Sequence, residues 1–153
     1  MEEVIRLENV KKYYEVRSGL LGSKILKALD GVTLSIRKRE TVAVVGESGC
    51  GKSTLGRVSL RLLDVTAGKV VFKDQDISRM KEEELRAKGF RKRMQIIFQD
   101  PYSSLNPFMR IGDIVAEPLE IHGYRKEEIR EAVYRALEDV KLVPPEEFVN
   151  RYP

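Results

Sequence analysis

The chain has 153 residues, of which 42% are hydrophobic and 34% charged, with a net charge of +4. This is one domain of ordinary size with enough apolar material for a core. It carries too many charges to span a bilayer and too little charge imbalance for a dedicated nucleic-acid binder. A single Cys and a single His exclude a disulfide framework or a cysteine-built zinc site within one chain, and they remove most His-based metal and triad chemistry. A reducing, intracellular compartment is the natural reading. The opening MEEVIRLENV is acidic and quickly polar, unlike a signal peptide.

In chain order, Val4 to Val10 alternates apolar and polar residues and predicts a strand. Arg17 to Lys27 carries two Gly and two Ser and reads as a loop or loose hairpin. Leu29 to Ile36 predicts a second strand, and Lys38-Arg39-Glu40 a turn. Thr41 to Val45 (TVAVV) is an almost unbroken β-branched run, the pattern of a parallel strand buried on both faces. A Gly-rich turn, Gly46 to Gly51, leads into a helix expected over Lys52 to Leu63, with Leu55, Val58 and Leu62 on one stripe.

Thr66-Ala67-Gly68 breaks that helix, Lys69 to Phe72 reads as a short strand, and Lys81 to Lys88 as a helix. Met94 to Phe98 (MQIIF) is a second buried-type strand, followed by a loop over Pro101 to Pro107. Helices are expected over Ile111 to Ile121 and Glu127 to Leu142, the latter with Ile129, Val133, Leu137 and Val140 on one stripe. The order predicts an α/β nucleotide-binding layer with a helical attachment.

The sharpest chemical signal is Gly46-Glu47-Ser48-Gly49-Cys50-Gly51-Lys52-Ser53, a full match to G-x-x-x-x-G-K-[ST]. The glycines permit backbone conformations closed to other residues, so successive N–H groups can point inward as an anion nest. The helix behind it adds its positive end. Lys52 supplies a mobile cation for β- and γ-phosphates, and the Ser53 hydroxyl can ligate Mg²⁺. Four fixed positions arise by chance in roughly one chain of this length in a few hundred. A buried-type strand before the motif and a helix after it lower that chance further.

GESGCGKST at 46–54 together with FQDPYSSLNP at 98–107 resembles the ATP-binding subunit of ABC transporters, and more narrowly the oligopeptide/dipeptide importer subfamily. The resemblance covers essentially the whole chain, including an RSGLLGSK-type insertion between the first two strands. It implies an α/β fold with a P-loop NTPase core and an N-terminal antiparallel β element over 1–100, and the start of a helical subdomain over 101–153. It implies ATP and Mg²⁺ as cofactors, with Gly46, Glu47, Ser48, Gly49, Cys50, Gly51, Lys52, Ser53 and Thr54 around the phosphates.

Ser53 and Gln99 are implied as metal ligands. Gln99 matches the catalytic Q-loop glutamine, about 45 residues beyond Lys52. Tyr14 matches the aromatic position that stacks on adenine, with Tyr13 as the competing candidate. The stretch Tyr102 to Ile114 aligns with the surface that receives a membrane subunit, with Leu105, Phe108 and Met109 as apolar candidates. The implied partners are transmembrane permease subunits and a second ATP-binding subunit, identical or related, at the inner face of the membrane.

The 153 residues contain no LSGGQ-type signature, no apolar strand ending in Asp-Glu, and no later switch histidine. In relatives the switch histidine comes much later in the chain, so His122 does not take that role. Phosphoryl transfer to water needs a positioned water, a metal held from two sides and charge clamps. The expectation is an N-terminal portion of an ATPase that does not turn over ATP alone. Three alternatives stand beside it: a non-hydrolysing nucleotide-binding module, an ABC ATPase for another substrate, and an unrelated P-loop enzyme such as a kinase. A nucleic-acid role is not expected, because the seven basic residues of Arg79 to Arg93 are broken by Glu82-Glu83-Glu84 and carry no interleaved aromatics; they read as a solvated face. Cys50 reads as a small filler residue.

Overall fold

The computed structural model describes residues 2–18 and 22–153. Two compact units divide the chain, Met1–Gln95 and Ile96–Pro153.

The first unit is built on a four-stranded antiparallel sheet in the order β2-β1-β3-β4. Strand β1 is Glu3–Ser18, β2 Gly22–Arg37, β3 Ala67–Phe72 and β4 Gln75–Asp76. The two long strands form one hairpin whose ladder runs from Glu3 opposite Arg37 to Ser18 opposite Gly22. The expected loop over 17–27 is therefore mostly strand, and its centre, 19–21, lies outside the described residues. Leu7 and Val10 both face the core although strict alternation would set them on opposite faces. The register shifts between them, and Asn9 takes a φ of 48°. A bulge inserts one residue and so resets the period of two.

Three helices cover the inner face of this sheet: α1 (Lys52–Ser59), α2 (Glu82–Ala87) and α3 (Phe90–Arg93). Leu7, Val58, Val70, Ile77, Leu85 and Phe90 are at most 1% exposed. Phe90 meets Phe72 edge to face with ring centroids 5.5 Å apart, a geometry favoured by the ring quadrupoles.

α1 is shorter than its apolar pattern predicts. Arg61 adopts φ 54°, its N–H donates to Val58 O at 3.0 Å, and the Leu62 N–H donates to Arg57 O at 2.8 Å. This is a Schellman ending with an arginine where glycine is usual. It turns Leu62 outward, 45% exposed, instead of onto the expected stripe.

Two expected strands are not paired. Neither Thr41–Val45 nor Met94–Phe98 joins a ladder among the described residues. Val45 is 92% and Ile97 91% exposed, and only Met94 of the second run is buried. A β-branched run states a preference for two neighbouring strands. A ladder forms only against a neighbouring strand, and among the described residues neither run meets one.

The second unit packs α4 (Ile111–Ile121) on α5 (Lys126–Asp139) through Ala116, Ile129, Val133 and Leu137. The expected stripe on α5 ends one turn early, since Val140 is 65% exposed. The last residues return to the start of α4: the Ile111 N–H donates to Arg151 O at 2.8 Å and the Gly112 N–H to Val149 O at 2.9 Å. These bonds satisfy two of the donors that every helix start leaves unpaired. Among the described residues, no helix is long and apolar enough to cross a membrane.

Candidate functional site: a glycine loop at a helix start

The loop 46–51 owes its path to two close approaches. Gly51 has φ 99°, and a Cβ there would lie 2.4 Å from the Ala28 carbonyl oxygen. Only glycine fits both the angle and the contact. Ala28 is the residue that the hairpin register skips, because Lys12 pairs with Leu29 and Tyr13 with Lys27. The bulge therefore seats the Ala28 carbonyl against the loop. At the other end, a Cβ on Gly46 would stand 2.8 Å from the Sγ of the exposed Cys50, so the thiol lies close against the loop entrance.

α1 begins directly behind this loop. The Leu55 N–H donates to Gly51 O at 2.8 Å. No side chain caps the helix, and its first turn contains no acid. The N–H groups of Lys52, Ser53 and Thr54 precede the intrahelical ladder, so an uncapped positive helix end lies beside the loop. Lys52 Nζ donates to Gly46 O at 2.7 Å and Glu47 O at 2.6 Å, and lies 3.6 Å from Cys50 Sγ. An ammonium has three donors, so two are spent clamping the loop's own carbonyls. Residues 46–50 and Ser53 are exposed; Gly51, Lys52 and Thr54 are half-buried.

Tyr14 belongs to the same unit. It pairs with Leu26, two residues along β2 from the Ala28 that abuts Gly51. Lys12 Nζ lies 5.0 Å from its ring centroid. The neighbouring Tyr13 is engaged elsewhere: its hydroxyl donates to Asp30, and Lys27 Nζ stands 5.4 Å from its ring centroid. Bonding to the Asp30 carboxylate raises the Tyr13 phenol above its ordinary pKa.

Gln99 lies in the second unit and is exposed. Asp100 organises the turn after it: its Oδ1 accepts from the Tyr102 and Ser103 N–H groups at 3.2 and 3.4 Å.

The groups the sequence did not single out lie behind the loop. Arg61, 9% exposed, donates from Nε to Ile77 O at 2.8 Å, from Nη2 to Met80 O at 3.1 Å and from Nη1 to Asp64 at 2.5 Å. Arg91 donates from Nη1 to Leu60 O at 2.6 Å and from Nη2 to Arg61 O at 3.0 Å, and it forks onto Glu82 at 2.9 and 2.5 Å. The expected solvated face over 79–93 is thus interrupted at Arg91, whose side chain is 16% exposed. Nothing in a basic run marks which arginine turns inward. The buried Ser78, which accepts the Val70 N–H at 2.7 Å and bonds to Asp76, was more legible, because Asp two residues before Ser is an Asx-turn pattern.

The bond from Arg91, with a further one from Arg86, pulls the Glu82 carboxyl down from 4.5 to about 2. A carboxylate depressed on folding stabilises fully above its unfolded pKa, and that contribution fades as pH falls from about 4.5 through about 2. The stability difference between the natural chain and Glu82→Gln is therefore expected to be constant above pH 5 and to shrink below pH 4.5. Urea unfolding midpoints from pH 7 to pH 2.5 check this.

A glycine loop seated on a strand bulge, an uncapped helix start and a lysine folded back onto the loop define a P-loop α/β protein. The comparisons carry this further. The family model described as ABC transporter matches residues 29–152, and the chain belongs to that family. The oligopeptide transport ATP-binding protein AppF of Bacillus subtilis is 48% identical over 99% of this chain and 46% of its own length. OppF of Escherichia coli is 42% identical over 98% of the chain and 46% of its own length. The chain thus spans about half the length of these curated relatives. Among solved structures, a dimeric post-hydrolysis state of the ATP-binding cassette MJ0796, bound to ADP and Pi, superposes with a TM-score of 0.76 at 29% identity. That match covers 97% of this chain and 61% of the cassette.

Proposed function

We propose that this chain grips the phosphates of ATP within an ATP-binding subunit of an ABC importer for oligopeptides or dipeptides. The observation that carries the reading is the Lys52 ammonium folded onto the Gly46 and Glu47 carbonyls of a loop with left-handed glycines, directly before an uncapped helix start. The N–H groups from Gly46 to Thr54 line the phosphates. Glu47, Ser48 and Cys50 contribute backbone more than side chain.

Mg²⁺ keeps several waters and takes one or two protein ligands alongside phosphate oxygens. An exposed hydroxyl at Ser53 fits that demand, and no cluster of three or more His, Cys, Asp or Glu is found among the described residues. The metal would neutralise charge across the β- and γ-phosphates. Gln99 is assigned as its second ligand and as the residue that positions water. Tyr14 stacks on the base.

Residues 1–100 form the nucleotide-binding core and 101–153 the start of the helical subdomain. Tyr102, Leu105 and Phe108, which are 85%, 39% and 88% exposed, together with half-buried Met109, offer an apolar face to a permease subunit at the inner side of the membrane. A second ATP-binding subunit completes the assembly, and hydrolysis belongs to that complete assembly.

The test compares MgATP with inorganic tripolyphosphate. Base stacking on an aromatic ring is worth about 1–3 kcal/mol. Tyr14→Ala should therefore weaken ATP about tenfold and leave tripolyphosphate unchanged, measured by titration calorimetry. Equal ATP affinity in Tyr14→Ala, with a loss in Tyr13→Ala, would transfer the stacking role to Tyr13. Loss of labelled oligopeptide uptake in cells lacking the gene checks the substrate class.

A further inference from the structure

α1 has eight residues, about 12 Å of helix, and it is held at both ends by different means. Its first end is wedged by Gly51 against the Ala28 carbonyl. Its last end is held by a guanidinium: Arg91 donates to Leu60 O at 2.6 Å and Arg61 O at 3.0 Å. There a positive charge also meets the negative end of the helix. Arg91 is itself locked by the bidentate pair with Glu82, which starts α2 and also accepts from Arg86 at 3.1 Å. Arg61 ties the same corner to Ile77 O and Met80 O.

A guanidinium holds three directions at once because its donors form a rigid planar fork. None of these bonds belongs to the apolar core, to which α1 is attached separately by the fully buried Val58.

We propose that Arg91, locked by Glu82, is a positioning residue for the phosphate loop: it sets where along its axis α1 presents Lys52 and Ser53. The assignment rests on the reading of that loop as a nucleotide cradle. Without the fork, Val58 keeps the helix on the sheet, but the last carbonyls are released and the helix can slide and rock against the Ala28 bulge. A lysine at position 91 would restore the charge at the helix end without the fork, so it should rescue only in part.

The experiment uses the full chain with Arg91→Gln, Arg91→Lys and Glu82→Gln. MgATP affinity is read by titration calorimetry and amide hydrogen exchange by mass spectrometry. Arg91→Gln and Glu82→Gln should each weaken MgATP about tenfold. Exchange should quicken across Leu55–Ser59 while β3 keeps its protection, and Arg91→Lys should fall between. If Arg91→Gln fails to fold, Glu82→Gln, which leaves the arginine in place, decides the matter.

MgATP affinity within twofold of the natural chain in both neutral variants overturns the proposal. If the natural chain binds no MgATP, the cradle reading fails by itself and exchange alone decides the positioning. Quickening confined to α1 supports the proposal, and unchanged exchange there overturns it.

Discussion

Replacing Lys52 by Met is expected to abolish measurable MgATP binding at concentrations where the natural chain is saturated, a loss of about thirtyfold to a hundredfold. The size follows from the ammonium's two states. In the structure it spends two donors on Gly46 O and Glu47 O. With phosphates present those ammonium–carbonyl bonds are exchanged for ammonium–phosphate bonds in which both partners are charged, each at the strong end of about 1.5–3 kcal/mol. After subtraction of the carbonyl bonds given up, roughly 2–3 kcal/mol of affinity remains. Methionine keeps nearly the same bulk and flexibility and removes only the charge and donors. Lys52 belongs to no core cluster, so the circular dichroism spectrum and unfolding midpoint should hold. Affinity retained within threefold in Lys52→Met would mean that the loop does not grip phosphate through this lysine.

The largest effect on stability is expected from Phe90→Ala. Phe90 is 1% exposed and stands edge to face with Phe72. The Arg93 guanidinium lies 5.2 Å from its ring centroid. It belongs to the cluster with Leu85, Met94 and Val58, the residue that fastens α1. Truncating such a ring costs about 3–5 kcal/mol in transfer and cavity energy, a large part of the 5–15 kcal/mol that stabilises an ordinary domain. At about 4–8 °C per kcal/mol for a unit of this size, the unfolding midpoint of the first unit should fall by about 12–40 °C. Because α1 loses part of its backing, phosphate affinity should weaken alongside stability. Phe90→Leu, which refills most of the volume, should recover more than half of the loss. An alanine variant within 1 kcal/mol of the natural chain would show that the α2–α3 layer is not part of this core.

The loop was legible for a physical reason. Its chemistry needs Gly, Lys and Ser at fixed spacing along the chain, and local backbone geometry does most of the work. The strand segments 4–10 and 29–36 and the helix over 126–139 were legible through periodicity, because one face of each is buried within its own unit, whereas the far half of the hairpin was expected as a loop. The bulges were not legible. Which residue a ladder skips depends on the partner strand, so nothing local at Ala28 marks it as the seat of Gly51. The inward turns of Arg61 and Arg91 were illegible for the same reason, since their acceptors are backbone carbonyls up to 31 residues away.

What the amino-acid order determined by itself was therefore the glycine loop with its lysine, the family the chain belongs to, and the elements whose periodicity is complete within a few turns. Tertiary structure alone decided where the helix behind the loop stops, which carbonyl the loop leans on, and which charges hold its far end. Among the described residues, Thr41–Val45 and Met94–Phe98 join no ladder, although their composition asks for a central sheet. Composition expresses a preference for burial, but a ladder forms only when a neighbouring strand brings its own N–H and C=O groups to meet it.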